Sequence, residues 1–254
     1  MNAPASPTLE LRGISKHFGS VQAVQEAQFE VRDGEVMALV GDNGAGKSTL
    51  IKCVAGIYSI DDGEVLFEGR PVRIHGPKDA AKLGFEVVYQ DLALCDNLDV
   101  VQNMYLGREA HDPLLRLQEA PMEQRTIETL DSLSVTTIRS VRQPVATLSG
   151  GQRQSIAVAR AVMWNSRVVF LDEPTAALGV AQTRQVLDLV RRLADQGLAV
   201  VLVSHNLSDI FEVADRITVL RLGRTVGVYE KDKTTQNEIV QAITAGRPVS
   251  EAAA

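Results

Sequence analysis

The sequence predicts an α/β protein built on a mostly parallel sheet, with a helical insertion in its middle. Three observations predict it. Continuous apolar runs, Val36-Met37-Ala38-Leu39-Val40, Val168-Val169-Phe170-Leu171 and Leu198 to Val203, have the composition of strands covered on both faces. Helical periodicity lies between such runs, as in Val180 to Ala194, and strands alternating with helices give a parallel sheet. From about Asp91 to Ser149 strand signals fade, and polar helical patterns such as Met122 to Leu133 replace them.

Taken in order, the chain opens on a loose stretch, Met1 to Pro7, with neither the basic start nor the apolar run of a signal peptide. Thr8 to Val31 reads as strands, because Leu9-Glu10-Leu11-Arg12 and Ala27-Gln28-Phe29-Glu30-Val31 both alternate. Arg32-Asp33-Gly34-Glu35 is a turn into the first apolar run. A helix over Leu50 to Ala55 ends at Gly56, and Ile60 to Phe67 combines Asp-Gly turn chemistry with a strand. Ala80 to Gly84 is a short helix with its stop, and Phe85 to Tyr89 is a short strand ending at Gln90. The tail beyond about Gly246 is expected to fray.

The 254 residues carry a net charge of -6, so there is no basic footprint for nucleic acid. Hydrophobic residues make up 45%, enough for a full core. No apolar run approaches the roughly 20 residues of a membrane-spanning helix, so a cytoplasmic protein reaching the membrane only through a partner is expected. Cys53 and Cys95 lack metal-ligand spacing and read as ordinary thiols of a reducing compartment.

The chemistry concentrates in Gly41-Asp42-Asn43-Gly44-Ala45-Gly46-Lys47-Ser48-Thr49, which joins an apolar strand to a helix. That is the context of a phosphate-binding loop: glycines let backbone N–H groups turn inward, and the helix aims its positive end at the same anion. Lys47 can reach the β- and γ-phosphates of a nucleoside triphosphate, and the Ser48 hydroxyl can ligate Mg²⁺. Downstream, Asp172 and Glu173 follow a strand and so reach the carboxyl edge of the sheet, where ligands bind. Asp172 is placed to hold Mg²⁺ and Glu173 to orient and deprotonate the attacking water. His205 ends a second strand, where it can sense the γ-phosphate. Leu148-Ser149-Gly150-Gly151-Gln152 opens a helix from Arg153 to Met163 and forms a second anion-binding loop, with Ser149 as N-cap.

In this order, Phe18 to His205, the segments resemble the ATP-binding subunit of an ABC transporter over about residues 8–246. The resemblance implies a P-loop NTPase (RecA-like) core over about 8–90 and 164–246, with an N-terminal antiparallel β subdomain. It also implies an α-helical signature subdomain inserted at about 91–163, with flexible termini at 1–7 and 247–254. Phe18 then matches the aromatic stacked on adenine, and Val24 would line that pocket. Residues 41–49 match Walker A, Gln90 the Q-loop, Leu148 to Gln152 the signature, Asp172 and Glu173 Walker B, and His205 the switch histidine. It implies ATP and Mg²⁺, with Gln90 beside Ser48 and Asp172 at the metal, and two copies paired head-to-tail. In that pair the signature loop of one copy acts on the ATP of the other.

The stretch from Val88 to Glu109, and Asp172 to Val180, resemble the simple-sugar (ribose, xylose, fructose type) importers. That branch implies membrane-spanning permease subunits and, indirectly, a sugar-binding protein. Gly179 stands where the family commonly has an Asp touching the opposite subunit's Walker A. The alternatives are another ABC transporter class, or an ABC ATPase acting in translation or DNA maintenance. About 100 residues separate Lys47 from Ser149, too few for the long coiled-coil arm of the DNA-repair members at roughly 1.5 Å rise per residue.

Overall fold

The computed structural model describes residues 6–246. The termini expected to be flexible therefore lie outside the described residues, apart from Ser6 and Pro7. The chain begins with a hairpin of β1 (Leu9–Phe18) and β2 (Val21–Val31). Next, β3 (Val36–Val40) runs through the glycine-rich loop into α1 (Lys47–Val54), and β4 (Asp62–Phe67) and β5 (Arg70–Val72) return to the hairpin. A short α2 (Pro77–Lys82) precedes β6 (Phe85–Val88). Three helices follow: α3 (Val100–Tyr105), α4 (Glu119–Ser132) and α5 (Gly150–Val162). The remainder comprises β7 (Val168–Asp172), α6 (Val180–Asp195), β8 (Ala199–Val203), α7 (Leu207–Val213), β9 (Arg216–Arg221), β10 (Arg224–Glu230) and α8 (Gln236–Ala245).

Among the described residues these strands make two sheets. An antiparallel sheet has the order β2-β1-β4-β5, and a larger one the order β10-β9-β3-β8-β7-β6. In the larger sheet β9, β3, β8, β7 and β6 are parallel, and only β10 runs against its neighbour. Strands β3 and β8, and β7 up to Asp172, are apolar without a break because successive side chains serve different cores. Val36, Ala38 and Val40, with Val169, Leu171, Val200 and Leu202, pack under the helices. Met37 and Leu39, with Val168, Phe170, Val201 and Val203, pack with α1 and the antiparallel sheet. The sheet is thus a wall shared by two hydrophobic bodies.

Helix ends follow the local chemistry. Asp99 caps α3 and Ser149 caps α5, each with a Gln three residues on that closes a reciprocal capping box. Beyond His205, where no element is expected from the sequence, α7, β9, β10 and α8 complete the sheet and cover it. These elements decide the shape of the phosphate loop.

Candidate functional site

The loop between β3 and α1 is pressed between two other segments. A Cβ on Gly41 would collide with the Leu220 carbonyl of β9, and one on Gly46, at φ 101°, would stand 2.6 Å from the Ala23 carbonyl of β2. The N–H of Gly223 donates to the Ala45 carbonyl at 2.9 Å, so the turn after β9 braces the loop from behind. Within the loop, Lys47 Nζ donates to the carbonyls of Gly41 at 2.7 Å and Asp42 at 3.1 Å, and the Asn43 N–H donates to the Asp42 side chain. The first-turn N–H groups at Lys47, Ser48 and Thr49 have no intrahelical acceptor and carry the positive end of the helix dipole.

A cleft of 610 Å³ opens over this loop. Asn43, Gly44, Ala45, Gly46, Lys47, Ser48 and Thr49 form its floor, and Gln90, Asp172, Glu173 and His205 form one side. Sheet register explains the convergence: Asp172 of β7 pairs with Val203 of β8, so both strands stop at the same height. The N–H of Glu173 then donates to the Val203 carbonyl at 2.8 Å. Glu173 Oε2 lies 2.9 Å from His205 Nδ1, with the carboxylate 16% and the imidazole 71% exposed. Behind them, buried Asp209 on α7 accepts from Thr175 Oγ1 at 2.6 Å and from Asn206 Nδ2 at 2.9 Å. One side chain thereby steadies the loop after β7 and the loop after β8.

The charges in the cleft disturb one another. Burial pushes the Asp172 carboxyl above the usual carboxylate range, neighbouring Glu173 adds to it, and Lys47 and Lys52 oppose it. Burial likewise pulls Lys47 below the ordinary lysine value, against Glu173, Asp172 and Asp42. Both groups gain from a ligand carrying opposite charge.

A triphosphate with a small divalent cation fits these groups. Ser48, Gln90 and Asp172 bring hard oxygen donors to one cleft. Among the described residues no group of three or more His, Cys, Asp or Glu could hold a metal by itself. Few protein ligands, completed by phosphate oxygens and water, suit Mg²⁺.

Other expected site residues lie elsewhere. Phe18, at the end of β1, is 42% exposed and meets Tyr58 edge-on at 5.0 Å, with Lys16 Nζ 5.6 Å from its ring centre. It does not line the cleft. Val24 is fully buried beneath the antiparallel sheet, because strand alternation turns it inward. Val21, Gln22 and Ala23 form the cleft wall instead, together with Ala176. These residues, like Asp209, carry no sequence signal of their own. Leu148, Ser149, Gly150, Gly151 and Gln152 also lie outside the cleft, at the start of α5, with Ser149 and Gly150 exposed and Leu148 and Gly151 buried. Gln152 Nε2 donates to the Thr137 carbonyl at 2.6 Å, and the Leu178 and Gln182 side chains close on Gly150 and Gly151.

A phosphate loop, a strand-end acid pair and a facing histidine on a parallel sheet define an ATP-hydrolysing P-loop protein that works with Mg²⁺. A model of the ABC transporter family matches residues 24–176, and the chain belongs to that family. It is 44% identical over 255 residues to the fructose import ATP-binding protein FrcA of Rhizobium meliloti, covering 98% of both chains. It is also 44% identical over 239 residues to the xylose/arabinose import ATP-binding protein XylG of Sulfolobus acidocaldarius, covering 94% of each. A solved ATP-binding cassette of an ABC transporter superposes with a TM-score of 0.83 at 23% identity, covering 95% of this chain and 99% of the other. No helix of the described residues is long and apolar enough to cross a membrane.

Proposed function

We propose that the chain is the energy-coupling ATPase of an importer for a simple sugar, acting as a head-to-tail homodimer docked beneath membrane-spanning permease subunits. The relatives named for fructose and for xylose/arabinose import support the sugar class. The observation that carries hydrolysis is the pairing of Glu173 with His205 at the edge of the phosphate cleft.

Lys47 and the first-turn N–H groups of α1 hold the triphosphate, and Glu173 accepts a proton from the water that attacks the γ-phosphorus. The bond from that phosphorus to the bridging oxygen breaks, and ADP and inorganic phosphate result. Ser48 and Asp172, with Gln90 alongside, would hold Mg²⁺, which would neutralise charge on the phosphate oxygens. His205 keeps the Glu173 carboxylate in place and senses the γ-phosphate. The loop Leu148 to Gln152 lies away from its own cleft and closes on the ATP of a second copy, so ATP binding favours the closed dimer by mass action. The base projects past the wall of Val21, Gln22 and Ala23 and stacks on Phe18, which lies outside the cleft.

Glu173→Gln tests this reading. The variant keeps the shape and loses the base, so turnover falls by about 100-fold or more while ATP binding persists. With Mg-ATP the variant elutes as a dimer in gel filtration. Unchanged phosphate release would remove Glu173 from this role.

A further inference from the structure

Gln90 and the Ser149 loop are expected to read two different nucleotides, yet the structure ties the segment after Gln90 to the helix that begins at Ser149. Arg160, near the end of α5, donates from Nη2 to the Leu92 carbonyl at 2.8 Å and from Nη1 to the Ala93 carbonyl at 2.9 Å. Ala93 is held there at φ 49°, a left-handed conformation an alanine does not adopt unaided. Two turns earlier on the same helix, Arg153 donates to the Leu148 carbonyl and reaches Asp96 at 3.5 Å. Residues seven apart share a helix face, so one stripe of α5 holds both ends of the segment. Below it, the Ala146 N–H donates to the Asp96 carbonyl and the Val145 N–H to the Leu98 carbonyl, each at 3.0 Å.

Arg160 is the first of these ties after the exposed Gln90, only two residues away. A planar guanidinium gripping two successive carbonyls fixes position and direction, which a single ammonium cannot do. From Arg160 back to Ser149, the helix is a rod of about 16 Å. We propose that Arg160 is a positioning residue that makes the segment after Gln90 and the Ser149 loop one mechanical unit. A phosphate read by Gln90 in one cleft then sets the loop offered to the other cleft. This inference rests on the paired ATPase reading above.

The test is a double-mutant cycle in the full chain, with Arg160→Lys, Gln90→Ala and the two together, read by steady-state ATP hydrolysis. Arg160→Lys lowers turnover by about tenfold with KM within about twofold, as a misplaced but intact site does. In the Gln90→Ala background the same change costs less than about twofold, because both act through one element. Independent, multiplying effects, or full turnover in Arg160→Lys, overturn the tie. If Arg160→Lys does not fold, amide exchange in Glu173→Gln decides. Residues 92–96 and 149–152 then gain protection at the same Mg-ATP concentration, and protection of one stretch alone overturns the proposal. Absence of Glu173-dependent hydrolysis in the unmutated chain would instead refute the ATPase reading, and the exchange comparison would still judge the tie.

Discussion

Glu173 combines catalytic promise with backbone strain. Its φ of 53° lies in the left-handed region, where a side chain costs about 1–2 kcal/mol relative to glycine. The carboxylate also sits next to Asp172, whose own carboxyl is pushed above the usual carboxylate range by burial and then by Glu173. Such strain persists where surrounding structure fixes it, here through the Val203 carbonyl and His205. Glu173→Gly is therefore expected to leave stability equal or higher by up to about 1 kcal/mol, a rise of about 2–4 °C in Tm. Hydrolysis is lost at the same time. Thermal melts beside phosphate-release assays check both halves, and a lower Tm would mean that the contact with His205 outweighs the strain.

Among the elements, α6 begins without a capping side chain. Gly179 is its N-cap, with φ -75° and ψ 162°, and a Cβ there would meet nothing within 4 Å. The backbone does not demand glycine at this point. Gly179→Asp adds a cap and a charge at the positive helix end, so it is expected to raise stability by a few tenths of a kcal/mol, or about 1 °C in Tm. A fall in Tm would show that an acid is excluded there. The cleft itself was legible in the sequence because its residues lie at strand ends, where local spacing decides position: 43–49 after β3, Asp172 at the end of β7 with Glu173 next, and His205 after β8. The wall of Val21, Gln22 and Ala23 was not. Neither was Asp209, which bridges two loops through partners at Thr175 and Asn206. Such contacts depend on how distant segments meet, and that leaves no short-range pattern.

For the molecule as a whole, the shared sheet makes stability indivisible. Phe170, 2% exposed, packs on the side of the antiparallel sheet, while its neighbours Val169 and Leu171 belong to the helical side. Phe170→Ala is expected to cost about 3–5 kcal/mol and to lower the urea midpoint of one common transition, with the slope unchanged. A separate early transition would show the two bodies melting apart. The fold class was readable from β3, β7 and β8, whereas β9 and β10 escaped notice although they brace the phosphate loop at Leu220 and Gly223. That brace bears on how the protein is made. A ribosome delivers residues 41–49 well before Gly223, whose amide braces them through the Ala45 carbonyl. A nascent chain halted before Gly223 carries the nucleotide motif with only the loop's own hydrogen bonds and without this brace, so ATP lends less stability to the unfinished product than to the finished fold.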